Sequence, residues 1–318
     1  MEHFTYLYSL TLRSKTLFKY SRKITKTKEN HLINMEYFDD LLKKPSLFLD
    51  EGTLDVNYIP EKLPYREKEI FLLSQLFLSL ITNPFSISRK ILVQGKKNLG
   101  ITATLKIFSN MLKEAAHKRQ VNIDYVYINC KIEQTPHRVL VKIIRKMKPN
   151  FPEKGYSNAE ILDQIGIFLE KKKLYLVIIL DDLDQLKSNT HDIIYLLSHI
   201  QDDKINNPQH LSLIGVIEDF VYLTNISTES KKMLEHNIIK FNNYSQEQMF
   251  DILKYRVELG IRKFVISDEI LSMIAGIAYK RADVREGIHV LWKATKIAES
   301  KQLKYVTSEC VRLAAEES

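Results

Sequence analysis

Two periodicities alternate from about residue 66 onward. Arg66 to Thr82 places Ile70, Leu73, Phe77, Leu80 and Ile81 at the spacing of a buried helix stripe. Lys90-Ile91-Leu92-Val93-Gln94 then reads as a short strand ending at Gly95. Thr102 to Lys118 is helical, Tyr125 to Cys130 a strand, and Thr135 to Met147 and Asn158 to Lys172 are helical again. Leu174 to Leu180 and Leu211 to Ile217 are continuous apolar runs, the pattern of strands covered on both faces of a parallel sheet. A helix over His191 to Ile200 separates them. After Phe241 the strand signals stop. Ser245-x-x-Gln248 is a capping box opening a helix that runs to Gly260. Ser267 caps a second helix, Asp283 to Ser300 forms a third, and Thr307 opens a fourth. The expected architecture is α/β, a parallel sheet with flanking helices followed by a small all-helical domain. The boundaries read as an arm over 1–34, an α/β domain over 35–240 and a helical domain over 241–318.

Composition narrows the class. The 318 residues are 45% apolar and 27% charged, which excludes a fibrous or largely disordered chain. The longest apolar run, Ile70 to Ile81, falls short of the roughly 20 residues that span a bilayer, so no membrane partner is expected. Two cysteines, Cys130 and Cys310, exclude a disulfide framework and fit a cytoplasmic setting. The net charge is +8, and residues 1–34 carry seven Lys and Arg against two Glu. Such an arm suits a polyanion, although it equally suits a solvated tail or a start assigned too early, with Met35 the natural beginning.

Two motifs carry chemistry. Gly95-Lys96-Lys97-Asn98-Leu99-Gly100-Ile101-Thr102-Ala103 lies between a strand and a helix, where a G-x-x-x-x-G-K-[S/T] loop would cradle phosphate on backbone N–H groups. Gly95, Gly100 and Thr102 match, while Ile101 stands in the lysine position. Leu180-Asp181-Asp182-Leu183-Asp184 ends the apolar strand in the form of a Walker B motif. There Asp181 would hold Mg²⁺ with Thr102, and Asp182 would orient the attacking water.

The wider pattern resembles the archaeal origin-recognition initiators, AAA+ ATPases related to the large origin recognition subunit, over about residues 35–318. Asp55-Val56-Asn57-Tyr58-Ile59-Pro60, continuing through Leu63-Pro64-Tyr65-Arg66-Glu67, is similar to the family's segment that packs on adenine. By that resemblance Tyr58, Ile59 and Arg66 are nucleotide-binding candidates, and Arg285 in Ala282-Asp283-Val284-Arg285 takes the phosphate-sensing place of sensor 2. Phe151-Pro152-Glu153-Lys154-Gly155-Tyr156-Ser157 resembles the initiator-specific insertion, so Lys154, Gly155 and Tyr156 are candidate contacts to duplex DNA. The helical domain becomes the AAA+ lid.

The departures shape the functional expectation. Ile101 replaces the lysine, Asn98 a glycine, Asp182 the usual Glu, and Glu218 the sensor 1 Asn, while Glu229 falls where the family places its arginine finger. The chain ends at Ser318, just after the lid and before the family's winged helix. Losing one charged hydrogen bond, ~1.5–3 kcal/mol, weakens phosphate binding about 10–100-fold. A carboxylate ~4 Å from a γ-phosphate oxygen repels it by roughly 4 kcal/mol per unit charge at an effective dielectric of about 20. The expectation is weak binding of ADP or ATP with Mg²⁺, ADP favoured, and negligible hydrolysis. The chain would act by binding duplex DNA, an active AAA+ initiator-type partner, or both. An active ATPase in which Lys96 or Lys97 reaches the phosphates, and a decayed paralogue from a mobile element, stay open as alternatives.

Overall fold

The computed structural model describes residues 38–39, 42–43, 45–186, 192–200 and 208–316. The 1–34 arm and Met35 lie outside the described residues. Asp50–Ser318 forms one compact unit.

Five parallel strands build the sheet: β1 (Lys90–Gln94), β2 (Ile123–Asn129), β3 (Tyr175–Asp181), β4 (Leu211–Ile217) and β5 (Ile238–Lys240), in the order β2-β3-β4-β1-β5. The two apolar runs become the central β3 and β4, buried along their whole length. Register aligns Ile178 with Leu213 and Leu180 with Gly215. The Tyr175 hydroxyl is also buried, and it is satisfied by the Ile87 carbonyl and the Ser212 hydroxyl, both at 2.7 Å. Helices α1 (Glu67–Thr82) and α2 (Ile101–His117) pack together through Phe77 and Phe108, whose rings meet edge-on at 5.2 Å. α3 (Pro136–Met147) and α4 (Asn158–Lys172) pack on each other and help cover a large apolar cluster. α5 (Ile193–Ser198) is shorter than the spacing suggested. α6 (Thr228–Glu235) and the three-residue β5 were not expected, so the strands end at Lys240, one step before Phe241.

Four helices follow: α7 (Gln246–Gly260), α8 (Asp268–Arg281), α9 (Val284–Ser300) and α10 (Ser308–Glu316). Their starts sit where the caps placed them. Ser245 and Gln248 close a reciprocal capping box, Ser267 accepts from Ile270 N, and Asp283 accepts from Arg285 N. The strand C-termini, the first turn of α2 and the start of α9 all face one cleft, which the next section describes.

Candidate functional site

The loop after β1 is shaped by two glycines. Gly95 N donates to Ile217 O at 3.1 Å, and a Cβ at Gly95 would lie 2.9 Å from both Ile101 Cδ1 and Phe241 Cβ, so no larger residue fits. Gly100, at φ 77°, turns the chain through the left-handed region before the first helical hydrogen bond, Thr104 N to Gly100 O at 2.9 Å. Asn98 also has positive φ, 65°, a conformation Asn tolerates better than most residues.

The loop is held from behind. Leu99 O accepts from Arg66 Nε at 3.0 Å and from the Tyr244 hydroxyl at 3.1 Å. Arg66 is only 3% exposed; it also donates to Asn242 O, pairs with Glu69 at 3.2 Å and lies 4.0 Å from the Tyr244 ring centroid. It braces the loop from behind and is not among the residues that line the cleft.

Ile101 is buried, and its side chain turns against Gly95 and Phe241. The lysine position of the motif therefore presents an apolar group beneath the loop. Of the loop's own cations, Lys97 reaches Glu218, with Nζ to Oε2 at 3.6 Å. Glu218 is held in turn by a hydrogen bond from Gln94 Nε2 to its carbonyl at 3.0 Å. Both side chains of the ion pair are about half exposed, so it contributes no more than about 1 kcal/mol. It does offset the negative charge at the end of β4.

The acids line the opposite wall. Asp181, 6% exposed, accepts from the Thr102 hydroxyl at 2.9 Å, and the Tyr127 hydroxyl donates to Thr102 at 3.3 Å. Burial is the main cause that raises the Asp181 pKa, with the neighbouring Asp182 adding to it and Thr102 and Arg285 opposing. Asp182 sits at φ 51° and accepts from Asn129 Nδ2 at 3.2 Å. Among the described residues, no group of three or more His, Cys, Asp or Glu side chains could hold a metal ion alone. The Thr102 hydroxyl beside a buried carboxylate is nonetheless an oxygen donor set that suits Mg²⁺ if phosphate oxygens complete it.

From the helical side, Asp283 does two jobs. Its Oδ1 caps α9 through Arg285 N at 2.8 Å, while its Oδ2 accepts from Asn98 Nδ2 at 2.6 Å. The loop is thus tied directly to the start of α9. The segment carrying Tyr58 is fixed by Arg256, which donates to Thr53 O at 2.7 Å and Tyr58 O at 3.0 Å. The resulting cleft encloses about 540 Å³ and is lined by Tyr58, Ile59, the whole loop from Gly95 to Ala103, Asp181, Asp182, Glu218 and Arg285. Apart from Arg66, every sequence candidate for nucleotide and Mg²⁺ thus meets at one place. Tyr244, just before α7, lines it too, as do Ile252, Arg256 and Ile288, which were not singled out in the sequence, where they read as ordinary helix positions.

The remaining candidates lie elsewhere. The Tyr156 ring packs at a tilt against Phe151, centroids 4.8 Å apart, and Arg145 ties this segment down through Phe151 O at 2.7 Å and Glu153 at 2.6 Å. Lys154 lines a second cavity of about 850 Å³ with Lys142, Arg138 and Lys113, and Gly155 stands exposed beside it. Glu229 meets His199 Nε2 at 3.1 Å. Cys130 is fully buried, and burial pushes its thiol up to about 12. Trp292 is only partly buried, and its indole N–H donates to Glu51 at 2.8 Å. Among the described residues, no helix is long and apolar enough to cross a membrane.

Residues 250–316 match the family model for the Cdc6 AAA+ ATPase-type lid domain. The chain is 31% identical over 278 residues to ORC1-type DNA replication protein 2 of Sulfolobus acidocaldarius, covering 85% of this chain and 67% of that protein. It is 29% identical over 281 residues to ORC1-type DNA replication protein 1 of Archaeoglobus fulgidus, covering 88% and 68%. Among solved structures, Cdc6p from Pyrobaculum aerophilum superimposes with a TM-score of 0.76 at 26% identity, over 86% of this chain and 72% of that one. With a parallel sheet, a phosphate-loop-like turn and a matching lid, the chain belongs to the archaeal ORC1/Cdc6-type family of AAA+ replication initiators.

Proposed function

We propose that this chain is a replication initiator that binds nucleotide weakly, prefers ADP to ATP, and does not depend on ATP hydrolysis. The observation that carries this reading is the loop itself. Where a lysine would reach the β- and γ-phosphates, Ile101 packs beneath the loop against Gly95, and the nearby Lys97 is drawn toward Glu218. The backbone cradle of Gly95–Thr102 and the positive end of α2 remain to hold an α- or β-phosphate. Thr102 and Asp181 would hold Mg²⁺, whose role is to neutralise phosphate charge. Glu218 makes the γ-phosphate the unwelcome part. In this reading the chain acts by binding: to duplex DNA through the Lys154–Tyr156 segment, and to an active AAA+ initiator-type partner. The names of its relatives as DNA replication proteins support the DNA reading.

The test is steady-state ATP turnover, with and without duplex DNA, beside an Asp181→Ala variant. The reading predicts that the two proteins hydrolyse ATP at the same background rate. Turnover that the substitution abolishes overturns it in favour of an active ATPase. Duplex affinity that falls steeply between low and physiological salt supports the DNA contact.

A further inference from the structure

At one end of the helical domain, two loops lie side by side: residues 261–267 between α7 and α8, and residues 301–307 between α9 and α10. A backbone hydrogen bond from Val306 N to Val265 O, 2.8 Å, fastens them. Val265 and Val306 point inward and are buried, and the residue before each faces out. These are Phe264, 95% exposed, and Tyr305, 60% exposed. Phe264 has φ 67°, the left-handed region. That conformation is costly for a bulky side chain, and it yields no burial here in return. Folding therefore gives no reason for a phenylalanine at this position, where glycine would be less strained and would lose no buried contact.

The surroundings say what such an exposed ring could meet. Arg262 and Lys263 flank it on one loop, and Lys301 and Lys304 lie on the other, while neither 261–267 nor 301–307 contains an acid. Of the acids that flank the loops, Asp268 pairs with Lys254 at 3.4 Å, Glu299 with Lys296 at 3.7 Å and Glu309 with Arg312 at 2.9 Å. The surface thus offers three lysines, Lys263, Lys301 and Lys304, and two outward aromatic rings.

We propose that this loop pair binds single-stranded nucleic acid, the lysines holding phosphates and Phe264 and Tyr305 stacking on unpaired bases. Cations alone would suit a duplex equally well. Exposed rings add affinity only where base faces are open, because a duplex keeps its faces stacked. This surface lies apart from the cleft and from Lys154–Tyr156, so the inference does not rest on how either of those behaves.

The experiment is fluorescence anisotropy of the full chain with a labelled oligothymidylate, against a duplex of the same length and against vesicles rich in anionic lipid. The decisive variant is Phe264→Gly, which relieves the positive φ and so keeps the fold. It is expected to weaken single-strand binding about tenfold while leaving duplex binding and thermal stability undiminished. Tyr305→Ser is expected to act in the same direction. Lys263→Glu with Lys304→Glu is expected to weaken single-strand binding and flatten its salt dependence. Unchanged single-strand affinity in Phe264→Gly overturns the proposal. So does a loss on duplex equal to that on single strand, or a Phe264-dependent preference for vesicles; those results would assign the surface to duplex phosphates or to a membrane.

Discussion

Arg66 shows how a single side chain can tie distant segments together. Its guanidinium joins α1, the phosphate-like loop and the chain entering α7 through three hydrogen bonds and two aromatic faces. Its removal leaves Glu69 as a buried unpaired charge, one of whose oxygens already lacks a partner. Arg66→Ala is therefore expected to cost about 3–5 kcal/mol in chemical denaturation. A loss under 1 kcal/mol would contradict this bracing role. Asp181 carries strain of the opposite kind. Burial raises its pKa in the folded protein, so the folded state holds its proton more tightly than the unfolded chain does. Its contribution to stability is best below the unfolded carboxylate pKa and declines as pH rises through the folded value. Asp181→Asn, without Mg²⁺ or nucleotide, is expected to raise Tm at pH 7, the gain vanishing as pH falls below the carboxylate range. A Tm gain independent of pH would mean that charge burial is not the cause. The sequence order alone did not separate the roles of these two residues. Both sit in motif positions, and only depth and partners distinguish a brace from a cleft wall.

Most elements could be read before any coordinates, because their burial follows one rule along the whole segment. β3 and β4 are covered on both faces and appear as unbroken apolar runs; α7 and α9 begin at caps whose donors and acceptors are local in sequence. β5 escaped because three residues hold no period, and its strand character comes from pairing with Leu92, Val93 and Gln94. The link between Asn98 and Asp283 joins residues 185 positions apart, a separation over which no spacing rule applies. That bond couples the loop to α9 without any ligand. Asn98→Gly keeps the positive φ and deletes the bond. We expect faster amide hydrogen exchange in the first turn of α9 and little change within the sheet. Equal exchange in both proteins would show that the bond does not hold loop and helix together. The same coupling means that nucleotide, where it binds, meets a loop and helix already in contact.

Taken as a whole, the molecule keeps the initiator framework and changes its charges. The sheet, the loop turn and the lid are those of the family, and the cleft retains the Thr102–Asp181 pair and Arg285. Against that frame, the lysine position is apolar and the carboxylate of Glu218 lines the cleft, partly neutralised by Lys97. In the proposed reading, a γ-phosphate brings more negative charge toward Glu218 than a diphosphate does. The central claim is thus a preference between two nucleotides, and calorimetric titration of nucleotide-free protein with ADP and with ATP, each with Mg²⁺, measures it directly. The account predicts weak binding of ADP and still weaker binding of ATP, by about tenfold or more, a difference of ~1.4 kcal/mol or more. ATP binding as tight as ADP, or tighter, would contradict it.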